Sequence, residues 1–305
     1  MADRRLVEVC GGLRFPEGPV SMPDGSVVVT EMFGGCLTRI AADGSKTTVA
    51  EMSGPNGLAV GPDGAWFVCN NGGAFTPLEI GGLLYPGDFD PAKYLGGRIQ
   101  RVEPATGAVT DLYTHCGDIA LRAPNDLVFD AHGGFWFTDH GIRHGRTADR
   151  TGIYYALADG SHIVEAVFPV DAPNGIGLSP AGDVLYWAET HTGRVFQRRI
   201  ESPGVLARSG DGVPALLCGL PGMQLLDSLA VDGAGNVCVA TLVNGGVTVI
   251  APNGEIIDFI ETDDRITTNI CFGGDDFGTA YITVSSTGRL LAMDWPWPGL
   301  KLNCQ

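Results

Sequence analysis

Apolar positions in this chain come as short runs in pairs, and each pair follows a polar residue. From Pro16 the sequence reads P-E-G-P-V-S-M-P-D-G-S-V-V-V-T-E. The frame recurs at Pro55 (P-N-G-L-A-V-G-P-D-G-A-W-F-V-C-N), Pro124 (P-N-D-L-V-F-D-A-H-G-G-F-W-F-T-D) and Pro173 (P-N-G-I-G-L-S-P-A-G-D-V-L-Y-W-A-E). It recurs again at Leu226 (L-D-S-L-A-V-D-G-A-G-N-V-C-V-A-T) and, more weakly, at Thr268 (T-N-I-C-F-G-G-D-D-F-G-T-A-Y-I-T). Asp-Gly and Gly-Gly between the two runs supply positive φ at low cost, which is hairpin chemistry. A third run often follows, as in G-R-V-F-Q-R at 193–198 and G-R-L-L-A-M at 288–293. No segment has the period of an amphipathic helix. Each copy is therefore expected to form an antiparallel sheet of three or four strands.

The residues that head the six copies are Glu17, Asn56, Asn125, Asn174, Asp227 and Asn269, spaced by 39, 69, 49, 53 and 42. Small all-β repeats of roughly 40–50 residues mark a propeller. The expectation is an all-β, six-bladed β-propeller, a single domain over 1–305. The Leu6–Cys10 segment is expected to pair with the last blade and close the ring, which removes an exposed edge. The long spacing holds an insertion at about 74–97, expected to lie as a loop over one mouth. Its aromatics Phe75, Tyr85, Phe89 and Tyr94 either narrow the site or pack the loop.

Composition agrees with a folded β protein: 305 residues, 44% hydrophobic, 18% charged and 45 glycines. The net charge of −16 argues against a nucleic-acid partner, because phosphate binding needs a basic face. The N-terminus lacks an apolar leader and no apolar run approaches membrane-spanning length, so a cytoplasmic protein without a membrane partner is expected. Eight cysteines, scattered without C-x-x-C spacing, are expected as free thiols.

If the first strand of each copy lines a central channel, the six leading residues converge on the axis. Asn and Asp also favour plain corners, through αL and local backbone bonds. That accounts poorly for Glu17, however. Two converging carboxylates repel unless they are protonated or bound to a cation. Oxygen-only donors suit a hard divalent ion completed by water.

Taken in order, F-P-E-G-P, R-x-P-N-D-L, P-N-G-I-G-L, D-S-L-A-V-D-G-A-G-N-V and V-N-G-G-V resemble the SMP-30/gluconolactonase/luciferin-regenerating family along essentially the whole chain. The resemblance implies a six-bladed propeller with one divalent cation in its channel (Ca, Zn, Mn, Mg or Fe(II)). It implies Glu17, Asn174 and Asp227 as metal ligands, and Asn125 as a substrate-binding residue or a fourth ligand. Arg122 lies near where relatives carry a substrate-contacting arginine. His140 and His144 stand where many relatives have proline and other residues, and His140 is a candidate to face the substrate. M-Q-L-L-D-S-L replaces the commoner P-D-G around Asp227. The activity implied is hydrolysis of a small-molecule lactone, such as a sugar-acid lactone, with Asp227 as ligand and proton acceptor. Calcium-dependent organophosphate hydrolysis and a non-catalytic binding propeller with a structural ion are the alternatives. The absence of G-x-S-x-G, Walker A, G-x-G-x-x-G and H-E-x-x-H argues against a serine elbow, nucleotide cofactors and a helical zinc site.

Overall fold

A computed structural model describes residues 5–208 and 216–305. It is all-β, with no helix among the described residues. Six antiparallel sheets follow one another around a ring. The innermost strands are Pro16–Ser21, Pro55–Val60, Pro124–Phe129, Pro173–Leu178, Leu225–Val231 and Thr267–Gly273. Their neighbours run outward in chain order. Val7–Cys10 then pairs antiparallel with Arg289–Asp294 and supplies the fourth strand of the last blade, as the sequence led one to expect. In blade four, Leu216–Gly219 and Val205–Leu206 both pair with the long strand Arg194–Ser202.

The core is divided among the blades. Each of six main clusters of buried side chains straddles two neighbouring blades; Val20, Val28 and Leu37 of blade one, for example, meet Leu58, Trp66 and Val68 of blade two. Middle strands are therefore covered on both faces. That is why Val27–Glu31 and Gly134–Asp139 are buried end to end instead of alternating. The interface of blades two and three is the aromatic one, with Phe67 edge-on to Phe129 at 5.0 Å and Phe137 stacked on Tyr154 at 5.1 Å.

The insertion is more ordered than a plain loop. It contains a hairpin, Pro77–Ile80 paired with Leu83–Pro86, in the connection between Trp66–Asn70 and Arg98–Val102. The Leu84 N–H donates to the Ser286 carbonyl at 3.0 Å, so this arm of blade two reaches past blade one to blade six. At the other end of the channel lies the C-terminal segment. There Asn303 Nδ2 donates to the Phe129 carbonyl at 3.0 Å, and Leu300, Leu302 and Gln305 help line a small void of about 70 Å³.

Candidate metal centre and substrate cavity

The six innermost strands share an irregularity. Each pairs normally with its neighbour, gains one extra residue, and resumes: Pro55 opposite Asn70 then Leu58 opposite Val68, Pro173 opposite Glu189 then Ile176 opposite Trp187. Matching shifts occur in the other four. Such a bulge turns side chains out of the pleat. Here it lies at the polar leading residues.

The pairing also corrects one position. In blade six Thr267 pairs with Val284, as Pro173 pairs with Glu189, and Ile270 packs toward the preceding blade as Ile176 does. The residue equivalent to Glu17 and Asn174 is therefore Thr268, not Asn269. Asn269 falls one place deeper, level with Gly18, Gly57, Asp126, Gly175 and Ser228. Its Oδ1 accepts the Ile270 N–H at 2.8 Å, and its side chain also hydrogen-bonds Glu17. Thr268 is tied to Thr283 Oγ1 at 2.9 Å, to Ser285, and to the Pro16 carbonyl of blade one at 3.2 Å.

The deeper positions explain P-N-G. A Cβ on Gly57 would sit 2.6 Å from the Asn125 carbonyl of the next blade, and one on Gly18 would sit 2.6 Å from that of Asn56. These glycines permit close approach of neighbouring inner strands, beyond any role in turning the chain. Hydroxyls then tie one blade to the next: Thr30 Oγ1 donates to the Asn56 carbonyl and Thr138 Oγ1 to the Asn174 carbonyl, each at 2.6 Å. Asp139 fixes the entry to Asn125 by accepting the N–H groups of Arg122 and Ala123, both at 2.7 Å.

Glu17, Asn56, Asn125, Asn174 and Asp227 all line one cavity of about 590 Å³ and are all buried. Glu17 Oε2, Asn56 Oδ1 and Asn125 Oδ1 find no hydrogen-bond partner among the described residues. Asn174 is held by Nδ2 donating to Thr190 Oγ1 at 3.1 Å and by a bond to Asp227. Burial, followed by the charges of Asp227 and Asp126, holds the Glu17 carboxyl well above the usual range. Burial is also the main cause that pushes Asp227 and Asp126 up to about 7 each. Among the described residues no three His, Cys, Asp or Glu side chains gather as a metal-binding group. The donors here are carboxylate and carboxamide oxygens, a set for a hard cation.

Sequence reasoning missed several members. Asp126 sits directly below the site, its Oδ1 accepting the Leu127 N–H at 2.9 Å; the signal was P-N-D where sister blades have P-N-G. Asn56, given no ligand role from sequence, lines the cavity. So do Arg143 and His191. Arg122 is not among the lining residues: its Nε donates to Asp149 at 2.7 Å, and its guanidinium lies over the Tyr94 ring. His140 does line the cavity, buried edge-on to Phe75 and to His191 at 5.8 Å each. Its Nδ1 lies 3.1 Å from the Gly141 carbonyl. A carbonyl can only accept, so Nδ1 carries the proton and Nε2 is the bare acceptor. Burial lowers this imidazole to about 4. His144 is exposed, with its ring 5.5 Å from Phe89.

Comparison with known proteins places the chain in a family. The chain is 28% identical over 243 residues to lactonase drp35 of Staphylococcus haemolyticus, an alignment covering 78% of this chain and 66% of the relative. It is likewise 28% identical over 236 residues to lactonase drp35 of Staphylococcus epidermidis, covering 76% and 64%. The chain thus spans slightly under two thirds of the length of these relatives. Among solved structures, a gluconolactonase from Xanthomonas campestris superposes with a TM-score of 0.76 at 21% identity, over 96% of this chain and 90% of that one. The calcium-binding regucalcin of Agrobacterium tumefaciens superposes at 0.72 and 18%, over 96% and 98%. Likeness at these identities is a statement about the fold. Residues 15–286 match the family described as SMP-30/Gluconolactonase/LRE-like region, and the chain belongs to that family.

Proposed function

We propose that this chain is a hydrolase that opens a small lactone to its hydroxy acid, with one divalent cation at the channel floor. The observation that carries the reading is the convergence of Glu17, Asn125, Asn174 and Asp227 on one cavity where buried oxygens lack partners. A cation would satisfy those oxygens and offset the repulsion between Glu17 and Asp227. Calcium binding by the regucalcin relative supports the same reading. Glu17, Asn174 and Asp227 would hold the ion, with Asn125 and Asn56 beside it. When bound, such an ion polarises a carbonyl oxygen and lowers the pKa of water.

The remaining chemistry falls to the chain. Asp227 takes the proton of the attacking water and returns it to the ring oxygen: the water oxygen bonds to the acyl carbon, the acyl C–O bond of the ring breaks, and the ring oxygen leaves as the hydroxyl. His140 offers Nε2 as an acceptor toward a substrate hydroxyl or water. The sugar-acid lactones implied by the resemblance belong in the substrate panel. Eight free thiols suit a reducing compartment such as the cytoplasm.

The test is turnover of a lactone panel by metal-stripped protein, before and after add-back of Ca, Mn, Zn, Mg or Fe(II), with metal content measured in parallel. The reading predicts that turnover disappears with EDTA and returns with at least one ion. Hydrolysis at the uncatalysed rate with the site loaded would instead make the chain a binding propeller.

A further inference from the structure

The wall above the floor has a different chemistry from the floor itself. The blade-two insertion contributes Phe75, Leu78 and Phe89, and the opposite side contributes Leu225, Leu242 and Ile266. Part of the wall's polar complement is committed elsewhere, while Asp88, His191 and Nε2 of His140 remain on the lining. Arg143 is paired with Asp171 at 2.8 Å, Thr190 Oγ1 accepts from Asn174, and His140 Nδ1 donates to Gly141. A few hydroxyls of a sugar ring could reach the uncommitted groups, but most would meet carbon and lose water without replacement. Leu78 remains 45% exposed on a hairpin that touches blade six through a backbone bond, so it is free to contact a ligand. The volume, about 590 Å³, lies in the range that encloses drug-sized ligands, roughly 300–1,000 Å³.

We propose that the lactone opened at this floor carries an apolar alkyl or aryl substituent, and that the blade-two insertion selects it. This rests on the lactone reading above and narrows it. The carbonyl end faces the oxygen-bearing floor, and the substituent lies against Phe75, Leu78 and Phe89.

Three δ-lactones that share a ring size test it: unsubstituted δ-valerolactone, δ-decalactone with its pentyl chain, and δ-gluconolactone with its hydroxyls. They are assayed with the full chain and calcium or manganese supplied. The expected result is a kcat/KM for δ-decalactone about tenfold or more above either of the others, as hydrophobic-pocket discrimination allows. Phe89→Ala and Leu78→Asn should each reduce the decalactone-to-valerolactone ratio by about fivefold or more; Leu78→Asn, on the exposed hairpin, is the variant that keeps the fold. Gluconolactone turned over best, or a ratio unmoved in both variants, would overturn the proposal and leave the lactonase standing. If all three run at the uncatalysed rate, the lactone reading falls and this one with it.

Discussion

Asp227→Asn should stabilise the metal-stripped protein, and that advantage should close as cation is added. Asp227 is 8% exposed, and burial lifts its carboxyl from 3.8 to about 7, with Asp126 adding to the rise and the bond from Asn174 opposing it. In the unfolded chain the group returns to its ordinary value. Between those values the native state holds the proton and the unfolded state does not, so stability falls as pH rises through the window from about 4 to 7. At pH 8 the full cost is about 4 kcal/mol, from roughly three units at 1.36 kcal/mol each; at pH 4.5 it is about 1 kcal/mol. Asparagine keeps the shape and the bond to Asn174 but cannot ionise. The stripped variant should therefore melt higher than wild type at pH 8, by ~8 °C at ~2 °C per kcal/mol for a chain of this size, and by little at pH 4.5. Cation binding by wild type adds about 2.7 kcal/mol at a hundredfold excess over Kd and about 4.1 at a thousandfold, which closes the gap. Thermal melts of chelator-treated protein at both pH values, with cation titrated in, read this directly. A variant that melts lower than wild type in the stripped state at pH 8, or a gap indifferent to millimolar cation, would show that Asp227 is a structural residue and not part of a cation site.

Two further outcomes follow from the same geometry. Thr138→Val removes the 2.6 Å bond to the Asn174 carbonyl across the blade interface and leaves that acceptor buried; a loss of about 1–3 kcal/mol is expected, and an unchanged denaturant midpoint would refute it. His140, lowered to about 4 by burial, should remain neutral and protonated on Nδ1 at pH 5.5, where an ordinary histidine is mostly charged; nitrogen chemical shifts of the labelled imidazole report it, and an imidazolium signal would contradict the assigned hydrogen bond.

Much of the ring could be read from the sequence because every blade repeats the same physical problem. A strand covered on both faces must be apolar along its length, and the hairpin after it needs positive φ, so V-V-V-T-E and P-D-G recur at blade spacing. Ring closure was legible for a related reason, since the short apolar segment before the first copy has a sheet edge waiting for it. What could not be read was set by tertiary reach. Arg122 and Arg143 are both arginines beside blade three, but only the fold shows that Asp149 engages the first while the second lines the cavity. The hairpin in the insertion is exposed and mixed in character, so no burial pattern announced it. Leu216–Gly219 joins its sheet across a segment outside the described residues, beyond any local signal.

Blade six shows how fine the limit is. T-N-I-C-F matches P-N-G-L-A well enough that Asn269 takes the leading place by eye, and the match even preserves an asparagine before aliphatic residues. At the bulge two successive residues turn toward the channel, one at the mouth and the next below it, so a slip of one place exchanges the two. The pairing of Thr267 with Val284 settles the register. The channel then carries two rings: an upper one of Glu17, Asn56, Asn125, Asn174, Asp227 and Thr268, and a lower one where glycine in three blades gives way to Asp126, Ser228 and Asn269 in the others. The lower ring is not passive. Asn269 bonds Glu17, Ser228 bonds Asp126, and Ser228 Oγ reaches Asn174 Oδ1 at 3.4 Å. The lower side chains therefore hold the upper oxygens in place where glycine is absent, and where glycine is present the backbones close up instead. A repeated motif thus yields an asymmetric site, with carboxylates on Glu17 and Asp227 and carboxamides at three of the other four upper positions.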